Sequence, residues 1–307
     1  MAILAPASTA AVETQRPRKK GKEENREETP SYVGANPVLL ALGYVVMAIT
    51  LVAVLLPIFW IIVTSFKERP DIYVKPAMYW PAHPTVDNYV TAATEIKLGT
   101  YLRNSVIITA ILSVVEIILG VMTAYALAFL RFPGRNLVFV LVIASLLVPN
   151  QITIISNYAL VTSLGWRNTF LGIIVPLAGV AFGAFLMRNH FMSLPREVIE
   201  AARMDGAGPI RMLFRVVLPM SWPTLSAFAL ITIVNEWNQY LWPFLMSDDE
   251  RTAPLQIGLT FLQNNEGMTN WGTVMAGTVL AVIPPLIVFV VLQKNMIKGL
   301  TSGAVKG

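Results

Sequence analysis

Glu200-Ala-Ala-Arg-Met-Asp205-Gly206-Ala-Gly-Pro209-Ile-Arg-Met-Leu-Phe214-Arg-Val-Val-Leu-Pro219 is a polar island in a very apolar chain. Its punctuation predicts two short helices around a glycine break. Ser193 is a candidate N-cap, with Pro195 in the first turn and Glu197 and Glu200 near the positive helix end. Gly206 supplies a left-handed stop, Gly208-Pro209 restarts a helix, and Pro219 ends it or opens the next element. Ala201 and Ala202 keep the surface low, so another protein can approach the backbone. Arg188, Arg196, Arg203, Arg211 and Arg215 lie in or beside the island, which predicts the cytoplasmic side of a membrane. The plainer reading is an ordinary polar connector, but a connector needs far fewer residues.

The flanks of the island explain the membrane. The chain has 307 residues, 55% of them hydrophobic and 13% charged, with a mean hydropathy of +0.61. Soluble domains carry about 25% charged residues, so an integral membrane protein is predicted. The absence of Cys excludes disulfides and thiolate metal sites. His83 and His190 are far apart in sequence, which argues against a His-based metal site. The net charge of +5 is read by its location along the chain, not as a sign of a nucleic-acid partner. No cleavable signal peptide is expected, because the first apolar run begins only near residue 38.

Residues 1–36 hold six Lys/Arg and five Glu and read as a disordered cytoplasmic tail. Six apolar spans follow, at about 38–66, 104–130, 136–160, 169–187, 220–246 and 273–292. Pro57, Pro149, Pro176 and the pair Pro284-Pro285 interrupt four of them, as neighbouring helices and water permit in membranes. Tyr73, Tyr79, Trp80 and Tyr89 in the polar stretch 67–102 suit a membrane interface. With both termini inside, sixteen of the 23 Lys/Arg fall on the cytoplasmic side. The expected domains are the tail 1–36, a six-helix membrane domain 37–298 with its large loop at about 188–218, and a cytoplasmic tail 299–307.

No Gly-x-x-x-x-Gly-Lys-Ser/Thr phosphate loop, Ser-His-Asp set or carboxylate–His cluster is present, so no catalysis is expected. Polar groups within the spans are the functional candidates, because burying them in lipid is costly. The densest set is Asn235-Glu236-Trp237-Asn238-Gln239-Tyr240-Leu241-Trp242-Pro243. On one continuous helix Asn235, Asn238, Gln239 and Trp242 share a face, with Glu236 and Tyr240 on the adjacent stripe. That face reads as a solute path of hydrogen-bonding groups and aromatic platforms, or as polar contacts between helices. Asn150-Gln151 follow a helix-breaking proline, where transporters place substrate; packing hydrogen bonds are the alternative. Glu116, near the middle of the second span, reads as a buried contact between helices or subunits rather than a solute ligand.

The island resembles the "EAA loop" of ABC importer permease subunits, with Glu200, Ala201, Ala202, Asp205, Gly206, Ala207, Phe214 and Pro219 in register. The resemblance covers about residues 38–307 and extends to the carbohydrate-uptake, maltose-permease-like group. Trp237-Asn-Gln-Tyr-Leu-Trp-Pro243, Glu266-Gly-Met-Thr-Asn-Trp271, Ile283-Pro-Pro285 and Gln293 look most like its glycerol-3-phosphate permeases. Glu236 departs from the enteric pattern of that subgroup, which has a small residue there. The resemblance implies an all-α, type I importer permease fold with a cytoplasmic coupling-helix loop. It implies a second permease subunit, an ATPase homodimer that carries ATP and Mg, and an extracytoplasmic binding protein. It also implies a role for the C-terminal tail (Thr301, Ser302, Gly303 and Lys306) in reaching between the ATPase subunits, where composition alone suggests a frayed end. Relatives of that system are thought to carry glycerophosphodiesters such as glycerophosphocholine.

A phosphate-bearing solute wants cations or helix N-termini, yet the spans contain no Lys or Arg, and Arg103 and Arg167 sit only at their outer ends. A choline group would suit Glu236 with the rings of Trp237, Tyr240 and Trp242. A neutral sugar carried by the same machinery is the rival. A stand-alone carrier would call for inverted repeats and an ion-coupling site. No repeat is evident, and Glu116 and Glu236 are the only acids in the spans. An intramembrane enzyme would need a nucleophile–base pair, and none can be placed.

Overall fold

The computed structural model describes residues 37–263 and 269–304, with the backbone alone at Asn150 and over 295–304. The expected tail 1–36 and the motif residues Glu266 to Met268 lie outside the described residues. All described regular elements are helices. In chain order they are α1 (Pro37–Ser65), α2 (Arg69–Tyr73), α3 (Asp87–Glu95), α4 (Leu98–Phe129) and α5 (Arg135–Leu146). Then come α6 (Asn150–Ser163), α7 (Phe170–Leu177), α8 (Ala181–Ser193), α9 (Arg196–Met204) and α10 (Pro209–Met212). A π-helical turn (Leu213–Val217) leads to α11 (Leu218–Met220), α12 (Trp222–Trp237), α13 (Leu241–Met246), α14 (Leu255–Thr260) and α15 (Trp271–Ala304).

Contacts divide the chain into two compact units, 1–53 and 54–307. The described part of the first is the beginning of α1. The second holds everything considered below.

Among the described residues three helices are long and apolar enough to cross a membrane: Pro37–Ser65, Leu98–Phe129 and Trp271–Lys294. Three further helix pairs meet that test only when a bend joins them. The bends are 97° between α5 and α6, 43° between α7 and α8, and 84° where Pro209–Met220 turns into α12. The number of spans is therefore three, or up to six if each bent pair is one span. The chain breaks at Pro149 and just after Pro176, which itself lies inside α7, whereas Pro57 and Pro284-Pro285 sit within unbroken helices and interrupt nothing.

The centre is α4 packed against α8 and α12. A Cβ on Gly120 would lie 3.0 Å from the Gly183 Cα, so only glycine permits this approach of α4 to α8. A Cβ on Gly183 would run into the Phe228 ring of α12. Three apolar clusters are strung along α4. At one end Ile96, Leu98 and Tyr101 pack with Trp237, Leu255, Ile257 and Val274. In the middle Ile108 and Leu112 pack with Val161, Ile173, Trp242 and Met246. At the other end Val121, Ala124 and Tyr125 pack with Met187, Phe191, Ile199, Met212, Val217 and Phe228. Glu116 falls between the second and third clusters.

The loop between α13 and α14 is held to α4 by Asn104. This fully buried side chain donates to the carbonyls of Glu250 (2.9 Å) and Ala253 (3.0 Å). Next to it the Ser105 hydroxyl accepts the Leu255 amide at 2.7 Å. Asn168 and Asp248 exchange two hydrogen bonds of 2.7 Å each, which ties the α6–α7 loop to the same region.

Candidate functional site

The polar island folds as two short helices, α9 and α10, with Gly206 at φ +74° between them. The expected cap is displaced. Ser193 is the last residue of α8, where its hydroxyl donates to the His190 carbonyl, and Pro195 precedes the first turn of α9 without a side-chain cap. Proline suits that place because its missing N–H is one the helix would leave unpaired. Beyond α10, Pro219 takes the second of its two expected places, in the first turn of the next element, α11. The chain passes through the π turn and α11 before the bend at Ser221.

Ile199, Met212, Leu213 and Val217 are buried in the cluster with Met187 and Phe191. The island is thus anchored on the bundle by four apolar side chains, each worth about 1.5–3 kcal/mol of burial. Its outer side presents Met204, Ile210 and Phe214, which are 83%, 76% and 63% exposed. Ile210, Arg211, Phe214 and Arg215 line a recess of about 660 Å³ there. Glu200 and Asp205 are exposed, and Ala202 and Ala207 rest against the buried cluster.

A second cavity, of about 740 Å³, opens where the helix breaks converge. Glu116 comes from α4, and Ser145, Pro149, Gln151, Thr153 and Asn157 from the α5–α6 bend. Pro176, Gly179 and Phe182 come from the α7–α8 break, and Glu236, Gln239 and Trp242 from the end of α12 and the start of α13. Among the described lining residues none is Lys or Arg. The Glu116 carboxyl accepts the Gly179 amide at 3.2 Å, a donor it shares with the Leu177 carbonyl at 2.6 Å. Glu236 is 9% exposed, and its Oε2 is buried without a hydrogen-bond partner among the described residues. Glu116 lines the same cavity.

The continuous face expected over 235–242 does not exist, because α12 ends at Trp237 and α13 begins at Leu241. The break redistributes the residues. Gln151, Glu236, Gln239 and Trp242 reach the cavity. Trp237 does not. It is buried in the cluster at the other end of α4, and its Nε1 donates to the Ala281 carbonyl at 3.1 Å. Asn238 turns back on its own helix to the Val234 carbonyl (2.8 Å), Tyr240 stacks on Phe244, and Asn235 is exposed. Trp242 lines the cavity while its Nε1 donates to the Gly172 carbonyl at 3.1 Å. Asn150 opens α6, and only its backbone is described. Glu116, Ser145, Thr153 and Asn157 complete the cavity and were not singled out as solute-facing. Their sole signal was a polar residue in an apolar run.

The backbone of α15 is helical through Ala304. Thr301, Ser302 and Gly303 therefore continue a helix rather than begin a coil, and Lys306 lies outside the described residues.

The family profile described as "Binding-protein-dependent transport system inner membrane component" matches residues 116–302, from Glu116 of the cavity through the island and into α15. The chain belongs to that family. The permease is 32% identical over 274 residues to the sn-glycerol-3-phosphate transport system permease protein UgpE of Brucella suis, covering 87% of this chain and 97% of that protein. It is 31% identical over 279 residues to the "Probable ABC transporter permease protein YurM" of Bacillus subtilis, covering 90% of each. In three dimensions it is similar to a chain of a bacterial ABC transporter that imports the acidic polysaccharide alginate. That match has a TM-score of 0.76 and 27% identity, over 87% of this chain and 99% of the other. A chain of the MetNI methionine transporter shares the fold at a TM-score of 0.51 and 18% identity, over 65% of this chain and 94% of the other. The protein is therefore a multi-pass inner-membrane permease subunit of an ABC importer, in a family whose members are non-catalytic.

Proposed function

We propose that this permease forms half of the translocation path of an importer for glycerol 3-phosphate or glycerophosphodiesters such as glycerophosphocholine. In this reading the chain crosses the membrane six times, with both termini and the 188–218 loop in the cytoplasm. The partners are a second permease subunit, a homodimer of ATPase subunits that binds the ATP and Mg, and an extracytoplasmic binding protein. The observation that carries the coupling role is the island itself. A helix pair buried on one side in the bundle core exposes Met204, Ile210 and Phe214 on the other. Exposed apolar side chains rimmed by Arg211 and Arg215 suit a protein partner better than water. Glu200, Ala201, Ala202, Asp205, Gly206, Ala207 and Phe214 seat in the ATPase. Closure of the ATPase dimer then moves the pair as a rigid body, and the spans reorient around the second cavity. Thr301, Ser302, Gly303 and Lys306 reach the ATPase from the end of α15.

Similarity to several UgpE proteins at 30–32% identity supports the glycerol-phosphate solute. The cavity supports a second reading, a neutral sugar such as trehalose or a maltodextrin. Its described lining offers amide, hydroxyl and aromatic groups but no cation for a phosphate. Uptake by the complete complex in proteoliposomes, with its own binding protein and ATP, decides between them. Glycerol-phosphate solutes are expected to enter and trehalose or maltodextrin to stay out; the reverse pattern selects the second reading. A cross-link from Phe214→Cys to the ATPase is expected, and labelling of that position by lipid or solvent alone would remove the coupling role.

A further inference from the structure

We propose that the turn between α4 and α5 holds the headgroup of an anionic phospholipid, with the phosphodiester on Arg131 and Arg135 and an acyl chain along α5. The inference rests on the topology proposed above, which puts this turn at the cytoplasmic leaflet. Three observations support it. A recess of about 410 Å³ is lined by Arg131, Phe132, Gly134, Arg135, Asn136 and Leu137, which supply two guanidinium groups and no acid. Neither cation has a counter-charge among the described residues. The ion pairs found there are Lys97–Glu250, Arg167–Asp248 and Arg251–Asp249, whose acids all lie in the loop that Asn104 holds near the other end of α4. Finally, apolar surface begins where the charge ends. Leu137, Val140 and Leu141 share one face of α5 and are 63%, 59% and 60% exposed.

A guanidinium carries five N–H donors and can hold a phosphodiester through two of them at once. Arg135 uses one on the Leu130 carbonyl, at 3.4 Å, and keeps the others. Arg188 of α8 places a third cation against the same helix ends. Its Nε donates to the Leu127 carbonyl at 3.4 Å, and its guanidinium lies 3.6 Å over the Phe139 ring. The charge by itself would attract any anion. The apolar strip selects one with a hydrocarbon tail, because free phosphate gains nothing from Leu137, Val140 and Leu141. Basic pockets at the cytoplasmic ends of membrane helices take anionic headgroups for this reason.

The test uses the complete complex in nanodiscs of phosphatidylglycerol and phosphatidylethanolamine, with the lipids that stay bound identified by native mass spectrometry. Wild type is expected to retain phosphatidylglycerol over phosphatidylethanolamine by about tenfold or more. The double variant Arg131→Gln with Arg135→Gln should lose that preference, and the corresponding Lys double variant should keep part of it. No preference in wild type, or an equal preference in the Gln variant, overturns the proposal. Inorganic phosphate separates the two sources of the anion: it should leave the bound lipid in place, and displacement at millimolar phosphate would show a general anion site instead. Co-purification of the subunits is the assembly control. Loss of the ATPase from the Gln variant with lipid retention unchanged would assign the patch to a protein contact and overturn the lipid. The topology is read separately, since the chain has no Cys. Asn136→Cys should react with a membrane-impermeant maleimide in detergent but not on intact cells. Reaction on intact cells would refute the topology, whatever the lipid result.

Discussion

The Glu116 carboxyl on α4 accepts the Gly179 amide at 3.2 Å, across the break between α7 and α8. A long unbroken helix thus supplies a second acceptor, beside the Leu177 carbonyl, for an amide at the bend, and this ties the bend to α4 next to the cavity. Glu116→Ala removes the bond and should lower complex stability by about 0.5–1.5 kcal/mol. Glu116→Gln retains an acceptor and should lose less than half of that. Thermal denaturation of the purified complex measures both; equal losses would show that the bond does not support the break.

The approach of α4 to α8 at Gly120 and Gly183 leaves no room for a side chain. Gly183→Ala drives a methyl into the Phe228 ring and is expected to cost about 1–3 kcal/mol by overpacking. The Phe228→Leu change in the same chain should restore part of the loss. If the double variant is no more stable than Gly183→Ala alone, the clash is not with that ring.

Gly206 stands at φ +74° with open space around its Cβ position, so its constraint is backbone conformation alone. Gly206→Val should cost about 1–2 kcal/mol locally by forcing a branched residue into the left-handed region. Insertion should persist because the buried face of the pair is untouched. ATP hydrolysis should then run without matching uptake, and Glu200→Lys should do the same from the surface. Parallel assays of hydrolysis and transport check this; variants with both activities intact would show that the pair does not carry the coupling.

Lys67, just beyond α1, is 2% exposed, donates from Nζ to the Met78 carbonyl and lies over the Trp60 ring at 4.4 Å. Burial lowers its pKa below the ordinary 10.5, against a smaller opposing pull from Asp71. Between the lowered folded value and 10.5 the unfolded chain holds the proton more tightly, so folding stability rises with pH there. Below that window both states are protonated and the slope vanishes. The stability of wild type minus that of Lys67→Met should therefore climb with alkaline pH up to about 10.5 and be flat near neutrality. A difference that falls with pH would contradict a depressed pKa.

Local chemistry made the island legible. Gly206 needs a left-handed φ and Gly208-Pro209 a helix start, and both signals act within a few residues. Pro149 announced its break in the same way, but Pro57 and Pro284-Pro285 carry the same local signal inside continuous helices. The cap at Ser193 was misread because Pro195 opens α9 without one. The grouping of Asn235 to Trp242 failed for a different reason. It assumed one helix, and nothing in Asn238-Gln239-Tyr240 forbids helix, so the break at Trp237 is imposed from outside. Trp237 is fixed to the Ala281 carbonyl on α15 and Trp242 to the Gly172 carbonyl on α7, two anchors that pull the helix ends onto different neighbours.

The sequence by itself determined a membrane protein with interrupted apolar spans, a polar helix pair and its family. These follow from hydropathy and backbone stereochemistry, which depend on each residue and its near neighbours. Only the tertiary structure decided which polar residues meet. Glu116 and Glu236 are separated by 120 positions, and they share a cavity because glycines let α4, α8 and α12 close tightly while the breaks hold a gap beside them.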